Sequence, residues 1–275
     1  MIVVTGGTGT IGGALIRRLR SQGFGREVRA VVRRPVELGV ETVLGDFNEP
    51  ESIVATLSAG DRLFLNAMPF PRFVETFNEV IDLARAAGVA QIVAVSVLGA
   101  EPGKTLAMGV HGEVDEHLRT SGVLYAILQP TGFMQNFVAD LKLDRFYGSY
   151  GKAAVNYIDA RDIGDVAAAL LTAPVGESRD YILTGPQSPT HDEIAAAMTT
   201  ALGREIRYVD LPVSELAARL AAEGVPEPLA TDLPAMQAAM GRSWAEVHPM
   251  VQEVTGRAPR TLDQFLADHI SAFDA

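Results

Sequence analysis

Along the first 130 residues, short β-branched runs alternate with longer segments in which apolar positions recur every three or four residues. The short runs predict strands at Ile2–Thr5, Glu27–Val32, Thr42–Leu44, Arg62–Asn66, Gln91–Val95 and Leu124–Leu128. The segments between them predict helices, among them Thr10–Gln22, Pro50–Leu57, Arg72–Ala87 and Gly112–Ser121. Strands that alternate with helices of this length form βαβ units. Their right-handed crossovers build a doubly wound parallel sheet. Gly23, Gly88 and Gly122 each follow a helical segment and precede a strand, where a left-handed residue closes a helix.

After Pro130 the pattern loosens. Helices are expected at Ile163–Leu171 and His191–Leu202, and short strands at Tyr181–Leu183 and Ile206–Val209. From about residue 211 the chain reads as helical, cut into short pieces by Pro212, Pro226, Pro228, Pro234, Pro249 and Pro259.

Composition narrows the partners. With 275 residues, 48% apolar and 21% charged, the chain is long enough for one large α/β domain or a core with a smaller lobe. The absence of cysteine excludes disulfides, thiolate metal sites and cysteine nucleophiles, and it points to a reducing, cytoplasmic location. A net charge of −11, from 34 acidic and 23 basic residues, argues against a nucleic-acid partner, since phosphate neutralisation needs a basic face. The richest apolar stretch, Val166–Val175, is too short to span a membrane, and Met1 leads straight into Ile2-Val3-Val4 without a secretory leader. No membrane association is expected. No histidine and acid spacing suits a metal, so none is expected.

The most informative segment is Thr5-Gly6-Gly7-Thr8-Gly9-Thr10-Ile11-Gly12-Gly13, a glycine-rich turn between the first strand and an amphipathic helix. Gly6 permits the tight turn, Gly9 lets the backbone approach a diphosphate, and Gly12 lets helix and strand pack closely. The helix start supplies N–H groups and a positive dipole end to the same anion. At the end of the second strand, where a carboxylate would bind a ribose 2′-hydroxyl, stand Arg33 and Arg34. Two guanidiniums hold a 2′-phosphate with charge-assisted, bidentate hydrogen bonds. NADP(H) is therefore favoured as cofactor, with NAD(H) as the alternative. The expected fold is α/β, a Rossmann-type doubly wound parallel sheet with a small, mostly helical C-terminal substrate lobe. The expected division is a dinucleotide-binding domain over 1–186 and a substrate-capping lobe over 187–275, with interleaving allowed.

These residues resemble the NmrA-like branch of the atypical short-chain dehydrogenases/reductases. The family includes quinone reductases, dye reductases and dinucleotide-sensing regulators. The likeness covers nearly the whole chain. It rests on Thr5 to Gly12, Gly45-Asp46, Ser121-Gly122, Gln129 to Asn136, Asp159 to Ile163, and Leu183 to Pro186. The resemblance implies that Asp46 and Phe47 line the adenine. It also implies that Asn66, Ala67 and Met68 pass near the nicotinamide half, and that Pro130, Thr131, Gly132 and Phe133 flank the nicotinamide. The residues themselves leave other roles open. Asp46 suits a turn ahead of the Pro50–Leu57 helix, and Phe133, Met134 and Phe137 suit an apolar core.

Most short-chain dehydrogenases pair a Tyr with a Lys four residues later, assisted by a Ser near the preceding strand. Ser96 is present, but the Tyr and Lys places fall on Ala107 and His111, and no Tyr-x-x-x-Lys occurs in the chain. Alcohol–ketone chemistry by that relay is disfavoured. What remains is hydride transfer to an acceptor that delocalises the charge it gains, such as a quinone-like or polycyclic aromatic compound. Ser96 and His111 are the candidate catalytic residues, His111 because an imidazole titrates near neutrality. The candidate acceptor lining is apolar: Met68, Phe70, Phe133, Met134 and Phe137, with Met236, Met240 and Trp244 from the proline-rich tail. Two other readings stay open, a non-catalytic NADP(H)-sensing regulator and an oxidative tailoring enzyme for aromatic polyketides. Monomer and homodimer are equally compatible with the sequence.

Overall fold

A computed structural model of the chain describes residues 1–141 and 143–273. In chain order the first elements are β1 (Ile2–Val4), α1 (Thr10–Ser21), β2 (Val28–Val32), β3 (Glu41–Leu44), α2 (Pro50–Val54), β4 (Arg62–Leu65), α3 (Phe73–Ala86), β5 (Gln91–Val95), α4 (Leu106–Thr120) and β6 (Tyr125–Pro130). They are followed by β7 (Gly132–Phe133), α5 (Asn136–Asp140), β8 (Arg145–Gly148), β9 (Tyr157–Ile158), α6 (Ala160–Thr172), β10 (Arg179–Leu183), α7 (His191–Leu202) and β11 (Arg207–Asp210). The tail carries α8 (Val213–Ala222), α9 (Leu229–Ala238), α10 (Met250–Thr255) and α11 (Leu262–His269). Among the described residues, no helix is long and apolar enough to cross a membrane.

The chain divides into two compact units. The first gathers Met1–Pro130, Ala160–Leu183 and Met250–Arg257; the second takes Thr131–Asp159, Thr184–Pro249 and the chain from Ala258 on.

The first unit holds a seven-stranded, all-parallel sheet in the order β10-β6-β5-β4-β1-β2-β3. The apolar runs that predicted strands bury both faces here: Val3, Leu63, Leu65, Ile92 and Ile127 have no exposed surface. The winding reverses beside β1 and β4, and in such sheets the crevice at that reversal, past the strands' C-terminal ends, is where ligands bind. Thr5 ties the two strand ends together. Its hydroxyl donates to Phe64 O at 3.1 Å and accepts from the Asn66 N–H at 2.9 Å. On one face α6 presses onto α1 through Gly164, where a Cβ would lie 2.8 Å from Leu15 N. Asp165 of α6 anchors that contact with Arg18 at 3.3 Å and Arg257 at 2.7 Å.

One helix differs from expectation. The sequence predicts a start at Gly112, but α4 begins at Leu106. Its early glycines lower helix propensity, yet both sit where a side chain has no room. A Cβ on Gly109 would fall 2.0 Å from Lys104 O, and one on Gly112 would fall 2.2 Å from Glu101 C. Tertiary packing of the 101–104 loop therefore overrides propensity.

The second unit is built from short pieces. β7 pairs with β9 and β8 pairs with β11, both in parallel, and the sequence predicted none of β7, β8, β9 and α5. Met134, Phe137, Phe146, Tyr157, Ile194, Met198, Phe265 and Leu266 form its core. Asn156, fully buried, is the polar centre. Its Nδ2 donates to Gly185 O at 3.1 Å and Gln187 O at 2.9 Å, and its Oδ1 accepts from Gly185 N at 2.8 Å and Thr131 Oγ1 at 3.2 Å. α7 matches its predicted span, framed by a capping box between Thr190 and Glu193 and by left-handed Gly203 (φ 64°).

Candidate functional site: a dinucleotide cradle

Gly6 takes a positive φ of 65°, and the Gly9 N–H closes the turn on Gly6 O at 2.9 Å. Gly12 packs onto this turn so closely that a Cβ would lie 2.2 Å from Gly6 O. Gly9 caps α1 with no side-chain hydrogen bond, and the first turn contains no acid. The N–H groups of Thr10, Ile11 and Gly12 are thus left for an anion, at the positive end of the helix dipole. Thr8, Gly9 and Thr10 are exposed, whereas the Ile11 side chain is core, so Ile11 offers only its main chain. This arrangement fits a diphosphate.

Arg33 and Arg34 follow β2 and are both exposed, and among the described residues neither is paired with a carboxylate. Past β3, Asp46 organises a turn: its Oδ1 accepts from Asn48 N at 2.9 Å and Nδ2 at 3.0 Å, and its N–H donates to Ser52 Oγ at 2.9 Å. Phe47 stacks on Phe77, with ring centroids 5.0 Å apart, in a cluster that also holds Phe70 and Phe73. Phe47 and Phe70 are therefore committed to packing on one side. Asn66 and Ala67 are half-buried beyond β4, with Asn66 O over Gly6, and Met68 is 86% exposed.

Ser96 directly follows β5, with its N–H on Leu128 O at 2.7 Å. Its buried hydroxyl donates to Asp115 Oδ2 at 2.6 Å. Burial pushes the Asp115 carboxyl up to about 6, against the lowering effects of the Ser96 hydrogen bond and the Arg119 charge. His111, one turn earlier on α4, lies inside the helix rather than ahead of it. It is buried, edge-on to Phe73 at 5.0 Å between centroids. Burial drops its pKa to about 4, so near neutrality the ring is uncharged and holds no extra proton to release. Asp115 is not among the residues expected from sequence. The signal was present, since Asp115 falls on the same helical stripe as His111, Val114 and Leu118.

Pro130 closes β6 and accepts the Leu98 N–H at 2.9 Å. Thr131, Gly132 and Phe133 belong to the second unit. There Thr131 is buried on Asn156, Gly132 lies against the Tyr157 ring, and Phe133 is half-buried. In that unit Met134 and Phe137 are core, while Met236, Met240 and Trp244 are half-buried. Among the described residues no group of His, Asp or Glu is placed to hold a metal ion.

A family model described as the NmrA-like family matches residues 1–266. The chain belongs to the NmrA-like family. An NAD(P)H azoreductase from Xenophilus azovorans is 35% identical over 287 aligned positions that cover all of both chains. The solved structure of an NADPH-dependent quinone oxidoreductase from Escherichia coli, complexed with NADPH, superimposes with a TM-score of 0.86 at 23% identity, over 98% of this chain and 100% of that one. A Citrobacter sp. triphenylmethane reductase complexed with NADP(H) superimposes with a TM-score of 0.83 at 24% identity, over 98% and 99% of the two chains. These likenesses show that this NmrA-like chain shares the Rossmann-type fold of those reductases.

Proposed function

We propose that this NmrA-like chain is an NADPH-dependent oxidoreductase that reduces a quinone-like or extended aromatic acceptor. The NAD(P)H-dependent class draws support from the azoreductase relative, and the acceptor class from the aromatic-reducing names carried by relative and neighbours. The observation that carries the cofactor reading is the uncapped start of α1, bent around Gly6 and Gly12, together with two exposed arginines at the end of β2. The main-chain N–H groups of Thr10, Ile11 and Gly12 hold the diphosphate, and Arg33 and Arg34 hold the 2′-phosphate. A bound nicotinamide supplies the hydride. The chain's own contribution is alignment of the acceptor and exclusion of water. The first unit, which carries the Gly6 turn and the two arginines, binds the dinucleotide. His111, buried against Phe73 and uncharged near neutrality, takes no part as a proton donor. Following the loss of reduced-nicotinamide absorbance across a panel of naphthoquinones, azo dyes and triarylmethyl dyes tests this reading. Turnover of at least one class is expected. Tight NADPH binding with no turnover of any class refutes the acceptor assignment.

A further inference from the structure

A quinone needs a proton as well as a hydride, and the Tyr/Lys pair that would supply it elsewhere is missing from this chain. We propose that Ser96 hands its hydroxyl proton to the reduced acceptor and is refilled by Asp115 behind it. This inference rests on the reductase reading above.

Ser96 stands at the C-terminal end of β5, on the sheet edge that also carries the Gly6 turn after β1 and Asn66 after β4. Its Oγ lies 2.6 Å from Asp115 Oδ2, and both residues are buried. A hydrogen bond this short between two oxygens runs in either direction. With Asp115 ionised, Ser96 donates; with Asp115 protonated, the carboxyl donates and the hydroxyl hydrogen of Ser96 is released for another acceptor.

The groups facing Asp115 set how readily it is protonated. Gln129 of β6 donates to the same Oδ2 at 3.5 Å. Arg119, one turn along α4, is 3.9 Å away, but its guanidinium is engaged at 2.6 Å by Asp180 of β10, and Tyr125 of β6 also faces it. His111, uncharged, lies one turn back on the same stripe. With Arg119 shared in this way, desolvation outweighs attraction, and the carboxyl titrates at about 6 rather than near 4. Arg119 and Asp180 are each about one-third exposed, which gives the inner carboxyl a polar edge to bulk water.

The quinone gains a hydride, a two-electron reduction matched by oxidation of the nicotinamide. One quinone oxygen takes the Ser96 hydroxyl proton as the Asp115 carboxyl proton moves to Ser96 Oγ. Asp115 ends as carboxylate and regains a proton from water. Asp115 acts through Ser96 and is a positioning and relay residue; Ser96 is the group at the acceptor.

The test compares two acceptors. A naphthoquinone takes up hydride and proton, whereas a cationic triarylmethyl dye becomes neutral on taking hydride alone. In the unmodified protein, kcat for the naphthoquinone should fall as pH rises through about 6, and the dye should lack that limb. Asp115→Asn, which keeps the shape, and Ser96→Ala should each lower the ratio of naphthoquinone to dye turnover tenfold or more. A ratio unmoved in both variants, with the two activities falling together, assigns the pair to structure and overturns the relay. On the ligand-free protein, an infrared pH titration differenced against Asp115→Asn should show a protonated buried carboxyl lost with a midpoint near 6. A carboxyl already ionised at pH 4 also overturns it. An unmodified protein that binds NADPH but reduces neither acceptor refutes the reductase reading itself, a result distinct from the others.

Discussion

Replacing Gly12 with alanine probes the cradle where its geometry is tightest. The added Cβ would sit 2.2 Å from Gly6 O, 2.7 Å from Gly6 C and 3.0 Å from Gly7 Cα, all main-chain atoms. Ordinary contact begins near 3.4 Å, so the turn must retreat by roughly 1 Å from the helix start. A shift of that size takes the N–H groups out of line with a diphosphate. The expected loss is about tenfold to a hundredfold in NADPH affinity, or about 1.4 to 2.8 kcal/mol. The helix itself should survive, because alanine recovers about 1 kcal/mol of helix propensity over glycine. Gly13→Ala is the matched control. Its Cβ would meet the mobile tip of Arg17 at 3.3 Å and Gly7 O at 3.6 Å, so it gains the same propensity without moving the turn. Fluorescence titration with NADPH, alongside thermal melts of both variants, gives the comparison. Equal NADPH affinity in folded Gly12→Ala and Gly13→Ala proteins would refute the close-approach argument.

Three further outcomes are expected. Asn156→Ala removes five hydrogen bonds and strands the buried Gly185 N–H, so urea unfolding should show a loss of about 3 kcal/mol; a change under about 1 kcal/mol would contradict it. Thr5→Val keeps the shape but cuts the tie between β1 and β4, and a loss of about 1 to 2 kcal/mol should accompany weaker NADPH binding. Stability should also fall on acidification from pH 6.5 to 5. His111 and His191 have folded pKa values of about 4, below the unfolded 6.5, so each binds its proton on unfolding in this window. Asp115, raised to about 6, does the reverse, since its folded form holds the proton that the unfolded form releases. Two imidazoles against one carboxyl leave a net uptake of about one proton, or about 1.4 kcal/mol lost per pH unit. A urea midpoint flat across that range would contradict neutral, buried imidazoles.

What the sequence made legible follows a physical rule. Elements whose signals are local came through: the sheet strands with apolar runs, α7 with Thr190, Glu193 and Gly203 at its ends, and the glycine turn at Gly6 to Gly12. Elements that exist only through distant partners did not. β7 is two residues that become a strand because Gly132 and Phe133 meet Tyr157 and Ile158, and no local periodicity announces that pairing. The start of α4 was hidden because its glycines are selected by the 101–104 loop packing against them. The cofactor half of the site was readable since it depends on main-chain geometry that glycine encodes. The Ser96–Asp115 pair was half seen: Ser96 stood out by its place after a strand, while Asp115, in the run Glu113-Val114-Asp115-Glu116, resembles an exposed acidic face until the buried stripe is set in register. The aromatic candidates, Phe47 for the adenine and Phe70 for the acceptor lining, were the least legible, because both serve packing as readily as binding.

Arg33 and Arg34 are proposed to select the phosphorylated dinucleotide that the α1 start holds. Titration calorimetry with NADPH and NADH, on the unmodified protein and on the Arg33→Gln/Arg34→Gln double variant, tests it most directly. NADPH should bind at least tenfold more tightly than NADH, with that preference reduced to about threefold or less in the variant. No heat from either coenzyme with the folded chain, or equal affinity for both in the unmodified protein, would contradict it.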